Sequence, residues 1–402
     1  MLAPMSHQIR TLIERLRGMR DVKVRMDLTP LVDRLEQEAL DDGTGCFGNI
    51  ISEETQRILN ETADKVSDAL LRNATREVSR RRRFRAGFES RLLLRWDPAL
   101  RVFDLVQGLA TEFGMDANAR FRPQAAADDD FVFEALTRLH GRACLTASEI
   151  GALLRTGHAT GANTRWRTLN EIATVSWFIA ERGNEVAKRY LEHQAIEMCR
   201  GAEQYQQFAE RLGADPLSDA ELEDLRRGRD ELKAKYGKDY INDYGWAAQE
   251  LGIARVTFRA IAEAVSMAHW LPYMRMASHG VHSGPRGAFF DLGLPEQLQA
   301  IPASVSHFGL AEPGANGLIS LGQATIALLN HCLRFVIDVS GDRNHRVAGL
   351  VDGLTILVEM VALLRLVDRG EQLFRETGNA MEEGYSIQSD DYPRIWKPTW
   401  SS

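Results

Sequence analysis

From residue 130 onward the chain is punctuated by helix-opening and helix-closing residues, and their spacing leaves little room for any other fold. Asp130 can cap FVFEALTRLH; TASE at 146–149 has the form of a capping box before IGALLRT, and Gly157 follows as a terminator. The next helix runs from about Asn163 to Arg182 and stops at Gly183, where Asn184 can cap another that extends to about Leu212. SDAE at 218–221 repeats the capping-box pattern, and Gly237 closes that helix. Helices of these lengths with short connections are those of an antiparallel bundle. The predicted fold class is therefore all-α: a multi-helix antiparallel bundle with accessory N-terminal and C-terminal helices.

Outside this stretch the pattern is looser. VKVRMDL at 22–28 alternates as a strand does, Thr29-Pro30 opens a short helix through Leu40, and Ser52 can cap a long helix with a Leu59, Ala63, Val66, Leu70 stripe. Pro98 and DANARFRPQAAADDD break that helix, which places a boundary near 125. Three regions result: 1–125, a helical region with an arginine-rich helix; 126–345, the central bundle; and 346–402, a helix and polar tail. Within the centre, TFRAIAEAVSMAHWLPYMRMASHGVH should kink at Pro272, and 284–317, with four prolines, reads as an irregular loop. Apolar helices are expected at about 318–340 and 346–369.

The longest apolar stretch, 317–339, contains Gln323, Asn330, His331 and Arg334, so it reads as a buried helix and no membrane contact is expected. The first twenty residues have no signal-type apolar run, and Cys46, Cys144, Cys199 and Cys332 form no Cys-x-x-Cys pair. Both features fit a cytoplasmic protein with ordinary thiols. The net charge is −7, yet ten arginines stand between Arg72 and Arg101 against Glu77, Glu89 and Asp97. That excess could hold phosphates, or it could be a solvated helical face. Phosphate-binding and dinucleotide loops, a nucleophile elbow and an H-E-x-x-H zinc motif are all absent.

Two polar clusters remain as candidate sites. In YMRMASHGVHSGPRG, Arg275, Ser278, His279 and His282 fall at i, i+3, i+4 and i+7 and share one stripe. A metal on the two histidines would need Asp291 or His307 as a further ligand; the expectation is no metal and no cofactor. The second cluster is Arg167 and Glu171 at i, i+4, with Asn170 beside them, in the helix order that favours a local ion pair less. Tyr190, Tyr205, Tyr236, Tyr240, Tyr244 and Trp246 make an aromatic middle, which is core or interface material more readily than a base-stacking platform.

Arg275 and His282 enclose six residues, a spacing that resembles the Arg-x(four to six)-His signature of the HEPN superfamily of helical-bundle ribonucleases, although Met276 stands where those sites carry a polar residue. The run RWRTLNEIATVSWFIAERGNEVAKRYLEH, then YGWAAQELGI, then YMRMASHGVHSG, resembles a bacterial family known as domain of unknown function 5677 over about 130–285. The shared positions are Arg167, Glu171, Tyr190, Trp246, Tyr273, Ser278 and His282. The resemblance implies an all-helical domain, in company with toxin or phage-defence modules. The expectation is a metal-independent HEPN-like ribonuclease or toxin effector, with RNA as a partner and a protein partner or second copy beside it. His282 would be acid/base, Arg275 the phosphate stabiliser and Glu171 the orienting group, with Arg167, Ser278 and Tyr273 completing the catalytic set. The alternative is a non-catalytic binding or scaffold module in which the same residues fix helix register.

Overall fold

The computed structural model describes residues 53–282, 284–289, 292–293, 305–336 and 343–383. The expected strand at 22–28, the helix through Leu40, the Ser52 cap, Asp291 and the C-terminal tail lie outside them. Among the described residues the structure is all helical, without a strand. The chain divides into two compact units, Met1–Phe88 and Glu89–Ser402.

In the first unit the described part is the start of α1 (Glu53–Ala127). Residues 78–86 of this arginine-rich stretch are exposed. Glu77 accepts from Arg80 and Arg81 at 2.9 Å each, and these bonds hold its carboxyl down at about 2. Part of the local positive charge is thus matched from within the same helix.

The second unit is a bundle of α1 from Glu89 onward, α2 (Phe131–Arg155), α3 (Ala159–Arg182), α11 (Ala311–Val336) and α12 (Arg343–Glu383). Between α3 and α11 lie α4 (Asn184–Glu192), α5 (Gln194–Phe208), α6 (Asp219–Tyr236), α7 (Ala248–Leu251), α8 (Phe258–Ala264), α9 (Leu271–Ser278) and α10 (Pro285–Phe289). Leu92, Trp96, Ala99, Phe103, Val106, Ala110, Gly114 and Ala117 on α1 recur every three to four positions and are buried. That stripe keeps one face of α1 in the core. α11 packs against α2, α3 and α12, and it is buried on nearly every side. Among the described residues no helix is long and apolar enough to cross a membrane.

Several terminators act as the sequence indicates. Asp130 accepts from the Phe133 amide at 2.9 Å, Ser218 and Glu221 form a reciprocal capping box, and Gly157, Gly183 and Gly237 end helices with φ of 75°, 82° and 94°. Other expectations need correction. α1 runs through Pro98 and Pro123 without ending. Both prolines are exposed, so the carbonyl each one leaves without a helical donor can bond water instead. TASE is not a helix start: Thr146 lies inside α2 and donates to the Arg142 carbonyl at 2.8 Å. Asn184 does not cap its own helix. Its side-chain Oδ1 accepts from the amides of Phe131 at 2.7 Å and Val132 at 3.3 Å, so it caps α2, which is distant in sequence. The helix it begins breaks at His193 rather than running to Leu212. The kink expected at Pro272 lies upstream, at Ser266 with φ of 56°, while Pro272 occupies the first turn of α9, where a missing amide costs little. α11 begins at Ala311, inside the expected 284–317 loop, and α12 extends to Glu383.

His140 of α2 is buried beside α11, with Nε2 3.1 Å from Thr325 Oγ1. The Thr325 hydroxyl donates to the Leu321 carbonyl, so the imidazole donates from Nε2. Burial pushes its pKa down from 6.5 to about 4. The unfolded chain therefore takes up a proton at a pH where the fold does not, and the associated stability is complete above pH 6.5. As pH falls from 6.5 to about 4 the loss is on the order of 3 kcal/mol. Urea denaturation at stepped pH should show this slope in the parent and a flatter one in His140→Gln.

Candidate functional site

α3 and α9 bring the two predicted clusters onto neighbouring helices. The chain leaves α8 beside the end of α3, where Arg182 Nη2 donates to the Ala264 carbonyl at 3.4 Å, and returns along α3 towards its start. Trp166 and Trp270 meet edge to face with centroids 5.9 Å apart. Beyond α9, Gly280 passes so close to α3 that a Cβ there would stand 2.7 Å from Thr164 Oγ1 and 2.9 Å from Thr160 Cγ2. Met274 and Ala277 are the buried face of α9. Tyr273, Arg275 and His282 are exposed, and Ser278 is half-buried.

On α3, Glu171 is held from two sides. Arg167 Nη1 is 3.7 Å from one carboxylate oxygen, and the Tyr244 hydroxyl donates to the other in a short bond. Tyr244 has φ of 53°, a left-handed conformation uncommon for a bulky residue. It precedes the 3-10 turn Gly245–Ala247, in which Gly245 packs directly on the Tyr240 carbonyl. Burial, followed by the charge and bond of Glu171, pushes the Tyr244 phenol well above its ordinary range, so it remains a donor. Tyr190 is edge-on to Trp246 at 5.1 Å; burial also raises its phenol, with Arg142 opposing and Glu171 adding to the shift. Arg189, buried beside it, donates from Nε to the Trp246 carbonyl at 3.2 Å. Tyr190, Tyr244 and Trp246 thus pack around this turn, whereas Tyr205 is exposed and donates to the Asp215 carbonyl at 2.7 Å.

The six expected catalytic residues divide by what they touch. Arg167 and Glu171 belong to the Tyr244 clasp, and the Ser278 hydroxyl donates to the Met274 carbonyl of its own helix at 2.8 Å. Tyr273, Arg275 and His282 face solvent. His307, considered as a metal ligand, is buried with Nδ1 3.0 Å from Arg95 Nη1. Among the described residues no group of three histidines, cysteines, aspartates or glutamates could hold a metal.

A buried polar seam, outside both predicted clusters as a unit, joins α3 to α11. Trp166 Nε1 donates to Ser320 Oγ at 3.1 Å and Asn170 Nδ2 approaches the same oxygen at 3.4 Å; all three residues are buried. Asn163 and Asn316 are buried polar residues on the same two helices. The signal in the sequence was Asn163, Trp166 and Asn170 at i, i+3 and i+7, a stripe that mixes amides with an aromatic. Replacing Tyr244 by Phe should cost about 1.5–3 kcal/mol, the range for a hydrogen bond to a charged group, read as a shift in urea midpoint.

These elements define an all-helical module in which α9, anchored against α3, exposes Tyr273 and Arg275, with His282 exposed beyond its end. Residues 133–297, less than half of the chain, match the model of a family described as a family of unknown function (DUF5677). No curated protein and no solved structure matches the chain.

Proposed function

We propose that the module acts on RNA at the outer face of α9, as a metal-independent ribonuclease of the HEPN-like kind in a toxin or defence setting. One observation carries the reading: α9 is fixed by buried Met274 and Ala277 and by the tight approach at Gly280, while Tyr273, Arg275 and His282 are presented to solvent. Presentation of an imidazole and a guanidinium on an anchored element suits phosphoryl chemistry, because the backbone that carries them is in place before the substrate arrives. His282 takes the proton of a ribose 2′-hydroxyl, and the oxygen attacks the adjacent phosphorus. Arg275 offsets the charge that grows on the phosphoryl oxygens; the 5′-oxygen leaves with a proton from water, and the hydroxide so formed takes back the proton held by His282. The products are a 2′,3′-cyclic phosphate and a 5′-hydroxyl end. The likeness to HEPN enzymes rests on residue types and spacing.

A second reading, a non-catalytic binding or scaffold module, is favoured by the bonds that already occupy Glu171, Arg167 and Ser278. Incubating the purified chain with end-labelled single-stranded RNA in EDTA separates the two. Cyclic-phosphate ends support cleavage; a mobility shift without cleavage supports binding alone. Intact RNA with no shift overturns both as statements about RNA.

A further inference from the structure

α12 is apolar on two faces, and among the described residues only one of them is covered. Ile356, Leu363, Val367 and Phe374 are buried, with Phe374 against Trp96 and Phe103 of α1 and Val367 beside Gly322 of α11. The other face carries Leu350, Leu354, Leu357, Val361 and Leu364, each separated from the next by four or three residues in alternation, with Val351 and Val358 alongside. All seven are exposed, from 44% at Leu357 and Leu364 to 67% at Val358. A 3.5-residue repeat is the pattern that seats one helix in the groove of another. A helix apolar around its circumference is ordinarily buried.

We propose that this face is the interface between two copies of the chain, which pair α12 against α12 about a twofold axis. Size supports a whole interface over a stray patch: seven side chains at these exposures present roughly 600 Å² per copy, the upper end of the largest patch found on a typical monomer. Flanking residues of the same helices would bring this towards the ~800 Å² per partner of a standard stable interface. The pattern also supports a copy of the same helix. The repeat has no charge between Leu350 and Leu364 at its seam positions, whereas Asp352 is turned aside to pair with Arg120 at 3.1 Å. A twofold contact needs a self-complementary surface, and an aliphatic heptad stripe is one.

The test is sedimentation equilibrium of the full chain at tens of micromolar, with far-UV circular dichroism as a check of folding. The parent should have twice the chain mass. The double variant Leu354→Glu/Val361→Glu should weaken association more than about a hundredfold while keeping its helicity, because both residues are exposed in the single chain. Val358→Lys, at the most exposed residue of this face, should also weaken it and serves if the double variant does not fold. Leu145→Glu, at an exposed leucine on α2, should leave the dimer intact. A monomeric parent overturns the proposal. So does a dimer that survives both seam variants, or one that Leu145→Glu disrupts while they do not.

Discussion

Trp166→Ala is expected to lower the unfolding free energy by about 3–5 kcal/mol, the range for removing a large buried aromatic. Its side chain is fully buried, donates to Ser320 Oγ at 3.1 Å and packs edge-on to Trp270 at 5.9 Å. The substitution therefore leaves a cavity between α3 and α11 and removes a donor from a buried hydroxyl, two losses that add. Trp270 ends the 3-10 turn that delivers the chain into α9, so loss of its partner should also loosen the helix that carries Arg275 and is followed by His282. Urea denaturation measures the first effect. A loss below about 1 kcal/mol would show that the seam does not hold the two helices in register.

His282→Ala should have the opposite profile. His282 is exposed and follows the end of α9, so its removal should change stability by no more than about 0.5 kcal/mol. If it performs the proton transfer, RNA cleavage should fall by about 10²–10⁴, the usual contribution of general acid–base catalysis. Arg275→Lys should recover only part of what Arg275→Ala loses, because an ammonium keeps the charge but not the planar pair of donors.

The sequence exposed those parts of this fold that are decided locally. A cap at Asp130, a box at Ser218 and Glu221, and a left-handed glycine at Gly157, Gly183 or Gly237 each depend on residues within one turn, and each stands where periodicity indicated. What escaped depends on residues far apart. Asn184 looks like a cap for the helix it starts, yet it serves α2, more than fifty positions earlier. Pro98 looks like a terminator, yet the buried stripe of Trp96, Ala99 and Phe103 holds α1 together around it. Thr146 has a capping residue's chemistry, but tertiary packing keeps it inside a helix.

The same division applies to the site. Helical period puts Arg275 and His282 on one stripe, but α9 ends at Ser278, so His282 is exposed beyond the helix and not on its face. Period could not show that Tyr244, from a strained turn more than seventy residues downstream, would occupy Glu171. Nor could it show that Ser278 would turn its hydroxyl to Met274. Spacing shows which residues share a face; the partners of each are set by packing.

We propose that the outer face of α9 and His282 beyond its end act on RNA, while the Trp166–Trp270 contact and the close approach at Gly280 hold α9 against α3. The most direct test is to measure, on the same preparations, the RNA cleavage rate in EDTA and the melting temperature of the parent and His282→Ala. The expected result is a cleavage rate reduced about a hundredfold or more at an unchanged melting temperature. A parent that leaves RNA intact, or a variant that cleaves at the parental rate, would contradict it.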